Sequence, residues 1–528
     1  MMAVYGIDLG TTYSCIARVD ETGRPTVLRS LEGTDTVPSV VFFESADNVV
    51  VGATAKDSSA LEPDLVVSLI KREMAHSTPW RGHGRTYTPE EISALILRKL
   101  AEDARVATGE VVSEVVITVP AYFGAAERDA TRKAGEIAGL DVIDVISEPV
   151  AAAITYGVLN PGQDRTILVY DLGGGTFDTT VITLRDGNIE VVCTDGHHEL
   201  GGTDWDDRMM EHLVEEFTRE HPDAGNPLDD KHTEQQLRRD AEDLRKTLSS
   251  RNQHVVRVVH AGRVARVELT RETLENLTRD LLDRTVEITR RTMETAAAKG
   301  VRDYDHFVLV GGSTKMPAVA RALQEAFGIS ARIQDPDLAV AKGAALYAFE
   351  ETYRRLLRSG DRARAEDLVS RAGLTAAQQT RIAARTIRTV ASRAFGIVIG
   401  DEEGSHLHVD HLVHANDLLP ASVTKEFCTV QRNQSTVNVE VMEQAGSTES
   451  ARIDDNKKIA GGHLSIPGGK PKGWPIEVTF ELDTSGLLNV TAKEQETGER
   501  LTLRVQVGGM SEEDVEASRT TLSRMQVS

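Results

Sequence analysis

The same short pattern occurs twice in this chain, and it constrains the fold more than any other feature. Residues 4–12 read VYGIDLGTT, and residues 168–176 read LVYDLGGGT. In both copies a strand-like apolar run leads to an Asp, and a turn rich in Gly and Thr follows. A second strand-like run comes after each turn, at 14–19 and at 179–182. Each copy is therefore predicted to form two strands joined by a tight turn.

The residue types in these turns suit a metal-bound phosphate. Glycine lets backbone N–H groups approach an anion closely, and threonine hydroxyls add donors. Asp8 and Asp171 are the carboxylates that would suit Mg²⁺, usually through its bound waters. Two such hairpins facing each other predict a nucleotide site between two related lobes, whereas the alternative is a pair of ordinary β-turns. Neither the P-loop pattern GxxxxGK[ST] nor, at these turns, the pattern GxGxxG is present.

Composition narrows the classes of function. A chain of 528 residues is expected to form about three domains. Its formal net charge of −22 argues against general affinity for nucleic acids or anionic membranes. The three cysteines show no paired spacing, which fits a reducing compartment. With neither a signal-like leader nor an apolar run of about 18 residues, a cytoplasmic protein without a membrane span is expected.

The pattern along the chain predicts an α/β fold with four parts. Residues 1–349 alternate strand-like runs, such as Ser39–Phe43, with helical ones, such as Arg271–Ala298. Residues 350–394 form a helical insertion and linker with ten Arg and five acidic residues. This basic stretch could bind an anionic partner, bind the acidic face of its own first domain, or be a solvated helical hairpin. Residues 395–507 have the short alternating runs of an antiparallel β-sandwich, and 508–528 hold a short helix.

Taken together, the motifs resemble the seventy-kilodalton heat-shock chaperone family. The matching runs are IDLGTT at 7–12, TVPAYF at 118–123, SEPVAAAITYG at 147–157, VYDLGGGTFD at 169–178, LGGTD at 200–204 and VGGSTKMP at 310–317. PIEVTF at 475–480 and SGLLNV at 485–490 are similar to the family's β-domain. The resemblance implies a two-lobed, actin-like ATPase domain, a linker, and a β-sandwich that holds unfolded peptide.

The resemblance also implies roles for single residues. Asp8 and Asp171 would hold Mg²⁺ through water, while Lys71, Glu148 and Thr176 would position the attacking water. ATP or ADP would be bound by Gly10, Thr11, Thr12, Tyr13, Gly173, Gly174, Gly175, Gly201, Gly202, Glu242, Arg245, Lys246, Ser249, Gly311, Gly312, Ser313, Lys315 and Asp337. The spacing from Glu242 to Ser249 places its four members on one helical face, although such a charged stripe is usually solvated surface.

Other positions match the family's allosteric and peptide-binding parts. Pro120 and Arg128 stand where the family relays nucleotide state towards the β-domain. The peptide groove would be lined by Ile397, Ile399, Phe427, Val430, Val437 and Val439. The alternative is that these side chains form only the sandwich core. The implied partners are unfolded or extended polypeptides, a J-domain cochaperone and a nucleotide-exchange factor.

Five departures from the family pattern are visible. Lys315 replaces the usual Arg, so nucleotide binding is expected to be weaker. The linker at 386–394 is not leucine-rich, which places interdomain coupling in question. Asp144 replaces an Arg that meets J-domain cochaperones, and this charge reversal is expected to weaken that contact. The stretch from Lys71 to Pro120 is shorter than usual. The family's helical lid is not expected, so bound peptide should leave quickly.

The sequence thus predicts an ATP-dependent molecular chaperone that slowly hydrolyses Mg-ATP and holds extended hydrophobic segments of unfolded proteins. The main alternative is a nucleotide-gated binding module for one dedicated protein partner. A sugar kinase and a filament former share the predicted two-lobe plan, but neither explains the β-sandwich.

Overall fold

The computed structural model describes residues 4–76, 78–159, 164–333, 335–401, 406–446, 448–484, 486–504 and 510–528. The chain is mixed α/β, and its first part is built on a sheet with the strand order β11-β10-β1-β2-β3. The elements up to residue 159 are β1 (Val4–Asp8), β2 (Tyr13–Val19), β3 (Pro25–Leu28), β4 (Val37–Pro38), β5 (Val41–Phe43), β6 (Asn48–Val51), α1 (Ala53–Ser58), β7 (Val66–Val67), β8 (Trp80–Gly82), β9 (Arg85–Tyr87), α2 (Pro89–Thr108), β10 (Glu114–Val119), α3 (Ala125–Ile137), β11 (Asp141–Ser147) and α4 (Glu148–Leu159).

A second sheet repeats this topology. Its elements are β12 (Arg165–Leu172), β13 (Phe177–Arg185), β14 (Asn188–His197), α5 (Gly202–Glu220), α6 (Lys231–Ser250), β15 (Gln253–His260), β16 (Arg263–Thr270), α7 (Arg271–Leu277), α8 (Arg279–Ala298), β17 (His306–Val310), α9 (Pro317–Phe327) and β18 (Ala331–Ile333). In both sheets three antiparallel strands come first, and two later strands extend the sheet in parallel from the first of the three. The repeated motif therefore sits at the same place in two equivalent sheets.

The next elements are α10 (Ala339–Ser359), α11 (Arg362–Arg371), α12 (Ala376–Ala384) and β19 (Ile387–Arg388). Helix α10 packs at backbone distance against β1 and α4. A Cβ added at Gly6 would lie 2.0 Å from the nitrogen of Ala345, and one added at Gly343 would lie 1.7 Å from the carbonyl oxygen of Ala151. Strand β19 pairs in parallel with β14 and extends the second sheet.

The basic stretch folds back onto the rest of the chain. Ala365 and Val369 of α11 are buried in the apolar core that also holds residues of β12 and α4. Arg355 pairs with Glu114 of β10, and Arg385 pairs with the buried Glu350 at 2.6 Å. One part of the stretch is thus packed, while Arg362, Arg364, Arg371, Arg381 and Arg388 are exposed.

Residues 395–504, called the β region below, contain β20 (Phe395–Gly400), β21 (Leu407–Val413), β22 (Ala421–Cys428), β23 (Thr436–Gln444), β24 (Asn456–Ser465), β25 (Pro475–Leu482), β26 (Leu488–Glu494) and β27 (Arg500–Arg504). They form two antiparallel sheets, ordered β21-β20-β23-β24 and β22-β25-β26-β27. Both sheets contribute side chains to one apolar cluster. Helix α13 (Glu512–Leu522) and strand β28 (Gln526–Val527) follow. The predicted boundary between 507 and 508 lies outside the described residues.

The two predicted hairpins are confirmed, but two other local predictions are wrong. The strand at Ser39–Phe43 is interrupted, because Ser39 leaves the sheet to support the first hairpin: its hydroxyl donates to the carbonyl of Gly10 at 2.8 Å. The helix at Arg271–Ala298 is divided at Thr278, whose hydroxyl bonds back to the carbonyl of Leu274 at 2.8 Å.

Within the described ranges, no helix combines the length and the apolar character needed to span a membrane.

Candidate functional site

The turns of the two hairpins face each other in direct contact. A Cβ added at Gly174 would lie 2.2 Å from the hydroxyl oxygen of Thr12, and one at Gly175 would lie 2.5 Å from the methyl carbon of Thr11. Real Cβ atoms do not come this close to other heavy atoms, so no side chain fits at either position. The glycines of one hairpin thus allow the threonines of the other to approach.

A cavity of about 470 Å³ opens beside this contact. Most of the predicted nucleotide-binding, catalytic and metal residues line it, although they come from distant parts of the chain. They are Asp8, Gly10, Thr11, Thr12, Tyr13, Lys71, Glu148, Asp171, Gly173, Gly174, Thr176, Glu242, Arg245, Lys246, Ser249, Gly311, Gly312, Ser313, Lys315 and Asp337. Cys15, Thr36, Val310, Pro336 and Val340 complete the lining.

Three predicted residues, Gly175, Gly201 and Gly202, do not line the cavity. Gly175 is part of the second hairpin, and Gly201 and Gly202 support that hairpin on the side away from the cavity. A Cβ at Gly201 would lie 2.6 Å from the nitrogen of Gly175. The nitrogen of Gly202 donates to the carbonyl of Gly173 at 3.0 Å. These contacts fix the backbone that presents Gly173 and Gly174 to the cavity.

A buried ion pair stands at one end of the cavity. The ammonium of Lys71 donates to a carboxylate oxygen of Glu148 at 2.5 Å, and the two residues are only 4% and 8% exposed. The same ammonium lies 5.9 Å from the ring centre of Phe123. Packing and pairing thus hold both side chains in place.

Three further carboxyl groups lie around this pair: the half-buried Asp8 and the buried Asp171 and Asp178. Burial and the charge of Glu148 raise the pKa of Asp8 to about 7, and Lys71 offsets only part of this effect. Burial, Glu148 and Asp178 likewise raise the pKa of Asp171. The pKa of Asp178 is raised to about 8, chiefly by burial and secondly by Glu148. One lysine thus lies among four carboxyl groups. A bound cation would stabilise the ionised form of these carboxyl groups.

The donor set fits a hydrated magnesium ion. Among the described residues, no three His, Cys, Asp or Glu side chains are grouped so that they could hold a metal ion directly. Asp8 and Asp171 nevertheless both face the cavity as oxygen donors, and Mg²⁺ characteristically keeps several of its waters.

Tyr13 ties the first hairpin to α6. Its hydroxyl donates to Glu242 at 3.0 Å and accepts from Lys246 at 2.8 Å and from Lys56 of α1 at 3.1 Å. Burial alone would raise the pKa of Glu242, but Lys56 and Lys246 lower it to about 2. Tyr13, Glu242 and Lys246 therefore line one end of the cavity, and Lys56 contacts them from outside the lining.

Besides the five unpredicted lining residues named above, sequence reasoning missed four charged residues that contact the predicted ones. Lys56 belongs to the network around Tyr13, and Asp178 to the acidic group. Arg72 donates to the carbonyl of Gly175 at 2.8 Å and to Asp204 at 2.7 Å, and Asp206 holds the predicted Arg245 at 2.6 Å. The only available signals were that Arg72 follows Lys71 directly and that Asp178 ends the second matched motif, because the other contacts join distant parts of the chain.

The far end of the cavity is formed around β17. Gly311 has a φ of +83°, and a Cβ there would lie 2.3 Å from the carbonyl oxygen of Leu172, so only glycine fits. Lys315 forms an ion pair with Asp337. The ammonium of Lys315 is thus held by a carboxylate at the cavity wall.

The loop from Pro120 to Ala125 joins the acidic group to the β region. The backbone nitrogen of Tyr122 donates to Asp178 at 2.9 Å, and its hydroxyl donates to the carbonyl of Gly446 at 3.0 Å. The predicted relay residues lie in and beside this loop: Pro120 is buried at its start, and Arg128 donates to the carbonyl of Phe123 at 3.2 Å.

A buried cluster, called the junction below, fastens the β region to this loop. The guanidinium of Arg393 lies 4.8 Å from the ring centre of Tyr122 and 4.0 Å from both Glu127 and Glu443. Glu443 accepts from the backbone nitrogen of Ala125 at 3.2 Å. Burial raises the pKa of Glu443 to about 7, although Arg393 lowers it.

Asp144 lines a second, smaller cavity beside the junction. It accepts a hydrogen bond from the hydroxyl of Tyr347 at 2.7 Å and lies 3.8 Å from Arg132. Burial raises its pKa despite these partners. Its carboxylate is therefore engaged within the chain.

The predicted peptide-groove residues divide into two groups. Ile397 and Val439 are 5% and 3% exposed and belong to the core of the β region. Half-buried side chains at or near the margin of that core are Ile399, Phe427, Val430 and Val437. In this conformation only the second group could touch a bound chain.

We predict that Gly174→Ala separates the hairpins. The added methyl group would overlap Thr12, and overpacking of this kind costs about 1–3 kcal/mol of stability. Denaturant unfolding should show this loss. The matched control is Gly157→Ala, where the methyl group would meet Leu184 at an ordinary 3.7 Å. Equal stability of the two variants would contradict the described contact.

We further predict that the junction weakens as the pH rises. Glu443 takes up its proton at about pH 7 when buried but at about pH 4.3 when solvated, so its contribution is lost between these values as the pH increases. In this pH window the free energy of unfolding should fall less steeply with pH in Glu443→Gln than in the wild type, by at most about 1.4 kcal/mol per pH unit. The comparison isolates Glu443, because the raised pKa values of Asp8, Asp171 and Asp178 act alike in both proteins. Glu426→Gln, which replaces an exposed carboxylate of β22, should keep the wild-type slope. Equal slopes in the wild type and Glu443→Gln would contradict the assignment.

Comparison with known families agrees with this geometry. A family model described as Hsp70 protein matches residues 4–81, 76–349 and 397–526. The matched ranges include both hairpins, the residues that line the cavity, and nearly all of the β region. The chain therefore belongs to the Hsp70 family, whose members are chaperones with ATPase activity.

Proposed function

We propose that the chain binds Mg-ATP in the cavity between the two hairpins and hydrolyses it slowly. The observation that carries this proposal is the interlock of Gly174 and Gly175 with Thr12 and Thr11 beside a cavity of about 470 Å³. In this proposal residues 1–349 are a two-lobed, actin-like nucleotide-binding domain. Residues 350–394 are a basic insertion and linker, and the β region is a β-sandwich.

Each part of the cavity has a role in this proposal. Backbone N–H groups and hydroxyls of the hairpins would hold the phosphates. Asp8 and Asp171 would hold Mg²⁺ through water, and the ion would supply neutralisation of the phosphate charge. Glu148 and Thr176 orient the attacking water. Lys71 also offsets the charge that develops on the γ-phosphate.

The adenosine would lie against α6 and the turns after β17. Glu242, Arg245, Lys246 and Ser249 line one side of this space, and Gly311 to Ser313 line the other. Lys315 offers a point charge, already paired with Asp337, where a planar guanidinium could stack on a base. We therefore expect weaker nucleotide binding than in relatives that have Arg at this position.

The β region would hold an extended hydrophobic segment of an unfolded protein. Ile399, Phe427, Val430 and Val437 are accessible enough to contribute, whereas Ile397 and Val439 require the groove to open. Extended peptides bind in this way through backbone hydrogen bonds and one or two buried side chains.

The loop from Pro120 to Ala125 would relay nucleotide state. It contacts Asp178 on one side and Arg393, Glu443 and Gly446 on the other, so a shift at the γ-phosphate side can reach the β region. A J-domain cochaperone and a nucleotide-exchange factor are further proposed partners. The engagement of Asp144 by Tyr347 supports a weakened J-domain contact.

Replacing Lys71 tests the proposed chemistry. We predict that Lys71→Ala lowers single-turnover ATP hydrolysis by about 10²–10³-fold, as loss of one donor to transition-state charge does. Nucleotide binding should persist, because the hairpins remain. Binding is followed by titration with a fluorescent ATP analogue.

The control is Lys458→Ala, which also removes a lysine from an ion pair, here with Glu440 on the exposed face of the β region. This variant should hydrolyse ATP at the wild-type rate. Wild-type protein that neither binds nor hydrolyses Mg-ATP would refute the proposal, and undiminished hydrolysis by Lys71→Ala would refute the role of Lys71.

A further inference from the structure

Residues 510–528 do not stay with the β region from which they emerge. Helix α13 begins at Ser511, whose hydroxyl accepts from the backbone nitrogen of Asp514. The helix then lies against α3 and α2, and β28 adds a parallel strand to β6. The segment, called the strap below, thus returns to the first part of the chain.

Apolar burial fixes one side of the strap. Val515, Leu522 and Met525 are 8%, 0% and 4% exposed, and they share one core with residues of α2, α3 and β6. The other side of α13 is solvated, and Glu516, Thr520 and Thr521 are exposed there. The helix is therefore amphipathic, and its apolar face is fully covered by the first part of the chain.

Backbone hydrogen bonds fix the end of the strap. Ser528 donates to the carbonyl of Val49 at 3.0 Å and accepts from the nitrogen of Val51 at 2.9 Å, and Gln526 donates to the carbonyl of Asp47 at 2.9 Å. These contacts satisfy the edge of β6, which would otherwise expose unpaired backbone groups.

Arg98 of α2 completes this attachment. Its guanidinium donates to the carbonyl of Leu522, where α13 ends, and to that of Met525 at 3.1 Å. A cation at this position also suits the negative end of the helix dipole.

The β region is thereby held at both of its ends. Before it, β19 pairs with β14, and Arg393 is buried at the junction. After it, only five residues separate Arg504 from Met510, so these two points can move no more than about 20 Å apart. None of the residues that the strap contacts in β6 or at Arg98 lines the nucleotide cavity.

We propose that residues 510–528 act as an intramolecular strap that holds the β region against the first part of the chain and stabilises the junction. When the junction opens, the strap keeps the second end of the β region close to its docking site, which raises the effective concentration for re-docking. The strap contacts lie outside the nucleotide cavity, so the strap can hold the β region when no nucleotide is bound.

Hydrogen exchange of the full-length, nucleotide-free protein tests this proposal. Leu522→Asp places a charge in the apolar core and should release the strap, so that exchange of the amides at 47–51 becomes faster. Exchange of the linker amides at 387–394 should then rise by about tenfold or more, since the junction loses its second attachment. Thr520→Asp, which adds the same charge to the solvated face of α13, should match the wild type.

Arg98→Ala is a second variant that changes the other partner of the contact. It should also raise the exchange rates of the amides at 47–51 and at 387–394, but by less than Leu522→Asp does. Exchange of β10 reports whether the fold around the strap is intact in each variant. The measurement needs no nucleotide, so its outcome is independent of the proposed function.

Two results would overturn the proposal. In the first, Leu522→Asp speeds amide exchange at 47–51 while the linker amides exchange as in the wild type. The strap would then have no effect on the junction. In the second, neither site changes, which would mean that Leu522 does not hold the segment in place.

Discussion

The contact between the two hairpin turns is the constraint on which the rest of the site depends. Gly174 and Gly175 lie so close to Thr12 and Thr11 that no other residue type fits. This contact sets the distance between two sheets of the same topology, and thereby the width of the cavity between them. The Lys71–Glu148 pair then lies at a fixed position relative to Asp8 and Asp171, from which it can contact a ligand bound between the hairpins.

The same arrangement gives the cavity a mechanical connection to the β region. Tyr122 is hydrogen-bonded to Asp178 at one end and to Gly446 at the other, and Arg393 lies over its ring. The linker lacks the leucines of the family pattern, yet β19 still extends the second sheet and Arg393 occupies the junction with Glu443. Backbone pairing of β19, the buried apolar side chains of Val390 and Ala391, and Arg393 together attach the linker, and the strap adds a second attachment.

Local sequence patterns predicted the parts of this structure that local physics determines. Hairpins appear where apolar runs flank Gly-Thr turns, and the single predicted helix at 271–298 fails only at Thr278, whose side chain competes for a backbone carbonyl. Most cavity residues were predicted because they sit in motifs. Lys56 and Arg72 were missed because their partners are distant in sequence, and no local periodicity signals such contacts. Tyr13 and Glu242 lie 43 and 186 positions from Lys56, and Asp204 lies 132 positions from Arg72. The return of the strap to β6 was missed for the same reason.

We propose that this cavity is an ATPase site coupled to peptide binding in the β region. The most direct test is steady-state hydrolysis of Mg-ATP with and without a saturating unfolded hydrophobic peptide, with Lys71→Ala as the blank. We expect peptide to raise the wild-type rate by about fivefold or more, and we expect a smaller response from Tyr122→Phe, which loses the bond to Gly446. A wild-type rate that ignores peptide would contradict the coupling, and a rate equal to the blank would contradict the site.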